Sequence, residues 1–384
     1  MPLRVLLLST APRGSLGSMG RYGRLVAQAL ATLGGGTVDV RTRCLSLPAA
    51  ALRRLPPFLA TAFHHGWVAI AAARARRETA DVTHLLDGSH GYVLDSLPGR
   101  CLVVTCHDMI PMLQEQGQLG SRPGRGARGI VRRSAAGLRG AHRVAAISAC
   151  TARDAQQWGS VAPGRIRVIP LPLDPRFAAL LSSGEPRAGR APGEGEARIL
   201  HVGTDAFYKN RTTVLRVAAR VARDRKIRLV LAGTPPDGNL CRLAESLALK
   251  SRMEIAGRAD DDRLLDLYRG AGVFLFPSLY EGFGWPVLEA MACGCPVVCS
   301  TAGALPEVAG GAALSEDPLD VERLAAAVLS ILTDPTLAGN LARRGRERAS
   351  AFTMTRLADD LRALYREAAS EAAVAPGDPP RRTP

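Results

Sequence analysis

Aromatic residues make up only 4% of the 384-residue chain, and its 35 acidic side chains are outnumbered by 50 Lys and Arg. Long apolar runs are missing too. The longest near the start, Val5 to Leu8, is far short of the ~20 residues a membrane span needs, and no signal-peptide cleavage pattern accompanies it. The expectation is a chain that is neither exported nor membrane-spanning. No CxxC pair occurs among the eight Cys, and a chain of this length can stabilise itself by burial without disulfides, so a reducing cytoplasm is the expected compartment. Few aromatics and no recognised nucleic-acid motif leave little to stack on bases, and no nucleic-acid partner is expected.

What is present is globular in kind: 47% hydrophobic and 22% charged residues exclude wholesale disorder and a disulfide-dense scaffold. At roughly 150 residues per domain the length predicts two domains. The net charge of +15 calls for anionic partners, which could be nucleic acid, an anionic membrane surface or a phosphorylated small molecule.

Short, mostly branched apolar segments recur, each followed by a turn and a helical stretch, the pattern of parallel βαβ units. They are Arg4 to Ser9, Thr37 to Arg41, Asp81 to Leu86, Cys101 to Cys106, Arg143 to Ile147 and Ile166 to Ile169, then Arg198 to Val202, Ile227 to Ala232, Arg252 to Ala256, Val273 to Phe276 and Pro296 to Cys299. Two doubly wound α/β domains follow, 1–180 and 198–352. Between them, 181–197 is rich in Gly, Pro, Ser and charge and reads as a linker or loop. Helical periodicity predicts a helix over 353–370, packing back on the amino-terminal domain, and 371–384 has the composition of a disordered tail. Two such domains facing a central cleft would bind ligands at the carboxyl ends of their strands.

The segment 274–300, FLFPSLYEGFGWPVLEAMACGCPVVCS, carries the densest chemistry. A buried strand ends at Pro277, and a loop carries Glu281, Gly282, Phe283 and Gly284 before Pro286 starts a helix. Glycines let backbone N–H groups approach a ligand, and the helix start presents unpaired donors and a positive dipole end, a combination that suits the 283–288 amides to a diphosphate. Glu289 lies close enough to accept two hydrogen bonds from a ribose diol, and Glu281 could address the hydroxyls of a second sugar.

This string closely resembles the donor-site motif of glycosyltransferase family 4, retaining enzymes of the GT-B fold, in which two glutamates separated by seven residues flank FG. The resemblance extends to HVGTDAFYKNRTTVL (201–215), TCHDMIPM (105–112), AISACTARDAQQW (146–158), GRIRVIPLPLD (164–174), LPEVAG (305–310) and the glycine loop GSLGSMGRYGRLVAQAL (14–30), spanning roughly residues 4–370. It implies that Lys209 meets the donor diphosphate and that Gly203 belongs to the donor-binding site. Where the family often has Arg before this Lys, Tyr208 stands here, and Arg211 is the candidate second cation. It implies for His107 a hydrogen bond to the donor sugar or stabilisation of developing charge, and for Gly17 and Gly20 an acceptor or phosphate loop. Asp108 is expected to cap a turn or helix rather than act as a base.

Three other signals are set aside. Asp260, Asp261 and Asp262 precede a helical pattern that acids cap, and the spacing of Cys293, Cys295 and Cys299 is too tight for zinc, so no metal is expected. His64, His65, His84, Asp87, Ser89 and His90 could touch an acceptor, but ordinary loop or core roles are favoured. From Gln116 to Arg153 there are eight Arg and no acid. The preferred reading of this stretch is an anionic surface contact through Arg122 to Arg143, with a membrane or a lipid-linked phosphate.

Together these readings imply a cytoplasmic, membrane-peripheral, retaining and metal-independent glycosyltransferase. It would use a nucleotide diphosphate sugar of UDP or GDP type and no cofactor, and glycosylate a sugar or lipid-linked acceptor with domain closure excluding water. Catalysis would rest on His107 and Glu281. The rivals are another GT-B enzyme, an epimerase or a phosphorylase, and a non-enzymatic basic protein that binds polyanions with steep salt dependence.

Overall fold

The computed structural model describes residues 2–12, 17–33, 36–48, 51, 56–99, 101–183 and 195–374. The chain divides into two compact units, one running to Pro172 and resuming at Met354, the other spanning Leu173–Thr353.

The first unit is a parallel sheet of β1 (Leu3–Ser9), β2 (Val38–Cys44), β3 (Val82–Leu85), β4 (Cys101–Cys106), β5 (Arg143–Ala146) and β6 (Ile166–Val168), in the order β2-β1-β3-β4-β5-β6. Burial on both faces accounts for the unbroken apolar run Val5 to Leu8 in β1. Strand β2 lies at the edge, and its VDVRTRC can therefore keep charged residues. The helix Met354–Val374 packs on the helix Ser18–Leu33 and on β3, β4 and β5. Its buried Tyr365 places its hydroxyl 2.7 Å from His84 Nδ1, while His84 Nε2 lies 2.8 Å from Thr105 Oγ1, which is 2.9 Å from the Tyr22 hydroxyl. Burial, with the charge of His107, lowers the His84 pKa to about 3, so this hydrogen-bonded chain through the core is uncharged near neutral pH.

The second unit repeats the architecture with β7 (Ala197–Gly203), β8 (Ile227–Gly233), β9 (Met253–Gly257), β10 (Val273–Phe276), β11 (Val297–Ser300) and β12 (Leu314–Glu316), in the order β12-β11-β10-β7-β8-β9. All pairings are again parallel. Its core joins Ile199, Leu229, Val273 and Leu275 of the sheet to Val214, Val217 and Val328 of flanking helices.

In both sheets the chain steps outward to one side, then returns to pair on the other side of its first strand. The reversals fall between β1 and β3 and between β7 and β10, so the loops leaving these strands diverge and open a crevice at each carboxyl edge.

Several expectations are corrected. The division after Pro172 precedes the expected boundary at 180, because the helix Pro175–Ser183 packs on Trp285–Ala292 and the Phe177 ring meets Tyr268 edge-on. That helix occupies the start of the expected linker, and β7 begins at Ala197; positions 184–194 lie outside the described residues. The final helix continues to Val374, through residues assigned to the tail, since Ala-rich sequence favours helix and Glu371 pairs with Arg143. The rest of that tail, 375–384, lies outside the described residues. Strand β12 was not expected, because a three-residue LSE carries no usable periodicity.

Candidate active site

The loops leaving β7 and β10 carry Lys209 and Glu281. Phe207–Lys209 form a single tight turn, and Asn210 follows at φ 53°, its side-chain amide donating to the carbonyls of Pro277 and Pro318 at 3.0 and 2.9 Å. This ties the first loop to the second. Lys209 Nζ then lies 2.7 Å from Glu281 Oε1, and 5.2 and 5.1 Å from the ring centres of Tyr208 and Phe276. Both side chains of the pair are about nine-tenths buried, at 13% and 10% exposure. The cation is thus held by a carboxylate and two ring faces rather than by water.

Glu281 is fixed from behind by Gly303. The Ala304 N–H donates to the Glu281 carbonyl at 2.9 Å, and a Cβ on Gly303, whose φ is +61°, would lie 2.5 Å from that carbonyl oxygen and 2.6 Å from the Glu281 nitrogen. Only glycine fits there.

Gly284 caps the helix Trp285–Ala292, which begins one residue before Pro286. The expected run of amides at 283–288 is shorter than the sequence suggested: Val287 and Leu288 donate to the Gly284 carbonyl, and proline at 286 has no N–H. Gly282, Phe283 and Gly284, all buried, stand just ahead of those engaged amides. The Phe283 ring itself packs edge-on against Phe352, 5.7 Å between centres. Glu289, one turn into the helix and 3% exposed, accepts a hydrogen bond from the Tyr268 hydroxyl at 3.0 Å. One carboxylate oxygen is therefore oriented by the protein. Gly203 ends β7 opposite Gly233 of β8. Arg211 opens the helix Arg211–Val221 and is buried, with Nη1 donating to the Thr234 carbonyl at 2.9 Å and Nε unpartnered among the described residues.

Sequence reasoning missed His201, which points from β7 into the same region, 3.1 Å from where a Cβ on Gly203 would sit, with its ring stacked on Phe276. Its Nδ1 pairs with the Leu275 carbonyl at 3.0 Å, and Nε2 has no partner among the described residues. Burial and the charges of Arg211 and Lys209 lower its pKa to about 3 against the effect of that carbonyl, so the ring is neutral. Tyr268 and Gly303 were also missed. The first reads as one more apolar-face residue of a helix, and the second gives no signal in isolation.

The remaining candidates lie in the first unit. His107 follows β4 with its ring 4.7 Å from that of Tyr22, edge to face, and Nε2 donating to the Leu86 carbonyl at 2.8 Å. The expected hydrogen bond from His107 to a donor sugar is thereby limited to its other ring nitrogen. Gly17 accepts from the Arg21 N–H at 3.0 Å and Gly20 lies in the first turn of Ser18–Leu33; positions 13–16 of that loop lie outside the described residues. Asp108 accepts from the Ile110 N–H at 3.0 Å, as a turn-capping aspartate does, and Asp260 accepts from the Arg263 N–H at 2.9 Å at the start of Asp261–Gly270. The Arg-rich stretch is not free of acids in space: Arg132 pairs with the buried Glu115 at 2.5 Å, and Arg143 with Glu371.

The model for glycosyl transferases group 1 matches residues 184–348, and that for glycosyltransferase family 4 matches residues 19–177. The chain is 29% identical to MMP alpha-(1->4)-mannosyltransferase of Mycolicibacterium hassiacum over 97% of this chain and 100% of that protein. A shorter match, 33% identical to O-antigen chain mannosyltransferase B of Escherichia coli, covers 49% of this chain and only about half, 53%, of that protein. The crystal structure of HepE from Anabaena in complex with UDP superposes with a TM-score of 0.67 at 17% identity, covering 96% of this chain and 100% of HepE. The two matched models take in β2 to β6 of the first sheet and all of the second, with Lys209 and Glu281 inside the latter match, and the chain belongs to the family 4 glycosyltransferases of the GT-B fold.

Proposed function

We propose that this glycosyltransferase moves a sugar from a nucleotide diphosphate sugar to a hydroxyl acceptor with retention of anomeric configuration and without a metal ion, in polysaccharide or glycolipid synthesis. The observation that carries this reading is the Lys209–Glu281 pair at the β7/β10 reversal, one loop away from Glu289 and the helix start at Gly284. In this reading Glu289 takes the ribose, Lys209 and the Phe283–Gly284 amides take the diphosphate, and Glu281 takes the sugar. Arg211 adds positive potential from beneath the site.

Charge grows on the diphosphate as its bond to the anomeric carbon breaks. A fixed cation there stabilises the transition state more than the bound substrate. Lys209 and Arg211 can supply that charge from the protein itself, which is the ground for proposing metal independence. Retention would follow if the acceptor oxygen attacks from the face the diphosphate leaves, with the hydroxyl proton passing to a departing phosphate oxygen. HepE, with UDP bound, lends support to a uridine nucleotide, and the mannosyltransferase relatives lend support to mannose as the sugar.

The exposed Arg122, Arg125 and Arg133 on and before the helix Arg125–Gly137 would suit a peripheral contact with an anionic cytoplasmic leaflet. Among the described residues no single helix is long and apolar enough to cross a membrane. The test of the reaction is NMR of the purified glycoside product, with turnover followed in EDTA. An unchanged anomeric configuration and unchanged turnover are expected. An inverted linkage, or activity that EDTA abolishes and a divalent cation restores, would overturn the proposed mechanism.

A further inference from the structure

Strands β7 and β10 flank the reversal of the second sheet, and their pairing is short, joining Ile199 to Val273 and Leu200 to Phe274. One residue further along each strand stand His201 and Leu275. There the His201 side chain spans the two strands, with Nδ1 3.0 Å from the Leu275 carbonyl oxygen. A carbonyl can only accept, so Nδ1 carries the proton and Nε2 is left with a lone pair. The tautomer of this histidine is therefore set by β10.

The imidazole is fully buried, and two of the groups around it meet at Lys209. Its ring lies 5.9 Å from that of Phe276, with 29° between the planes. The Phe276 ring is in turn one of the two on which the Lys209 ammonium rests, 5.1 Å from Nζ. At the Nε2 edge, the imidazole lies 3.1 Å from the point a Cβ on Gly203 would occupy, and Lys209 Cγ and Cδ lie 3.5 and 3.6 Å from that same point. The space over Gly203 is thus shared by the imidazole edge and the lysine stem.

A protonated ring here would set a third cation beside Lys209 and Arg211. Burial and those two charges prevent it, holding the His201 pKa at about 3 against the pull of the Leu275 carbonyl. The neutral ring instead turns its lone pair, the negative end of its dipole, toward the space beside the lysine stem. Nε2 has no partner among the described residues, and a buried acceptor left unpaired lowers stability. An apolar ring would avoid that loss, so packing alone does not account for a histidine at this position.

We propose that His201 is a positioning residue for Lys209: locked on the Leu275 carbonyl, its ring backs Phe276 and the lysine stem and so fixes where the ammonium meets the donor diphosphate. Being fully buried, it acts through Phe276 and Lys209 rather than on the substrate. A group held in place before the ligand arrives loses less freedom on binding, and that hold is what the Leu275 hydrogen bond supplies. The proposal rests on the reading of Lys209 as the diphosphate cation.

The test is calorimetric titration of the whole protein with UDP, GDP and the monophosphates UMP and GMP. The bond to the anomeric carbon breaks at the second phosphate, which the monophosphates lack, so the comparison isolates what the cation contributes. His201→Phe keeps a ring but not its anchor. It should weaken whichever diphosphate wild type binds by about three- to tenfold, the scale of one neutral hydrogen bond, and leave the matching monophosphate within about twofold. His201→Asn keeps a donor for Leu275 but puts no ring behind Phe276, and should show the same selective loss, so either variant that unfolds cooperatively on heating reads the result. Added to Lys209→Ala, the His201 substitution should weaken the diphosphate by no more than about twofold further, because the residue it acts through is gone. Unchanged diphosphate binding, an equal loss for monophosphate and diphosphate, or the full loss repeated in the Lys209→Ala background would overturn the proposal. Weaker diphosphate binding in Lys209→Ala with none in the His201 variants removes this inference alone. Diphosphate binding that Lys209→Ala leaves unchanged, or that wild type lacks, removes the reading of Lys209 and this inference with it.

Discussion

Replacing Lys209 with Ala should lower kcat/KM by about 10²–10³-fold, with most of the loss in kcat, the scale seen when one preorganised charge-stabilising group is removed from an active site. The argument is geometric. Lys209 Nζ is held 2.7 Å from Glu281 and above two aromatic rings, so its position is set before substrate arrives and little reorganisation accompanies the build-up of charge on the diphosphate. Ground-state binding is affected less, because part of the cation's charge is already compensated by Glu281 while the leaving group carries its smaller initial charge. The same substitution leaves a mostly buried carboxylate without its cation, so thermal unfolding must accompany the kinetics. Lys209→Ala combined with Glu281→Gln separates the two effects, since it restores stability without restoring turnover. Steady-state rates within about threefold of wild type for Lys209→Ala would contradict the assignment.

Gly303→Ala is expected to cost about 2–4 kcal/mol, combining a left-handed backbone for a residue with a Cβ and a collision with the chain at Glu281. In a unit of this size that is a fall of roughly 5–15 °C in melting midpoint. Activity should fall further than stability explains, at temperatures where the variant is folded, because the contact atoms are the Glu281 nitrogen and carbonyl oxygen and relief of the clash moves the residue that pairs with Lys209. Scanning calorimetry with turnover at 20 °C reads both. A variant that melts and turns over like wild type would show that the close approach is not there.

The architecture was legible where sequence and structure speak the same periodicity. β4 and β10 were read with their observed ends, because each is a short apolar run closed by a turn, and β2 was found although its charged residues place it at an edge. The helix start after Gly284 was legible through proline and glycine. What was not legible depends on residues distant in sequence. The pairing of Lys209 with Glu281 joins positions 72 residues apart, and Tyr268 reaches Glu289 from a separate helix. Arg211 looks in sequence like a second cation for the phosphates, and only the fold shows that its Nη1 is anchored on the Thr234 carbonyl of the loop leaving β8. The amide run at 283–288 looked like a row of donors until helix formation engaged two of them within their own first turn. For His64, His65 and His90 the sequence favours loop or core roles over acceptor contact, and only the fold shows their ring centres 5.3–5.8 Å from one another.

The most direct measurement is calorimetric titration of UDP and GDP into wild type and Glu289→Ala in the presence of EDTA. One nucleotide should bind wild type with EDTA present and bind the variant at least about tenfold more weakly, because the ribose loses a carboxylate that Tyr268 holds in place. Binding that is equal in the two proteins, or absent from wild type at millimolar nucleotide, would contradict the assignment of the donor site to the second unit.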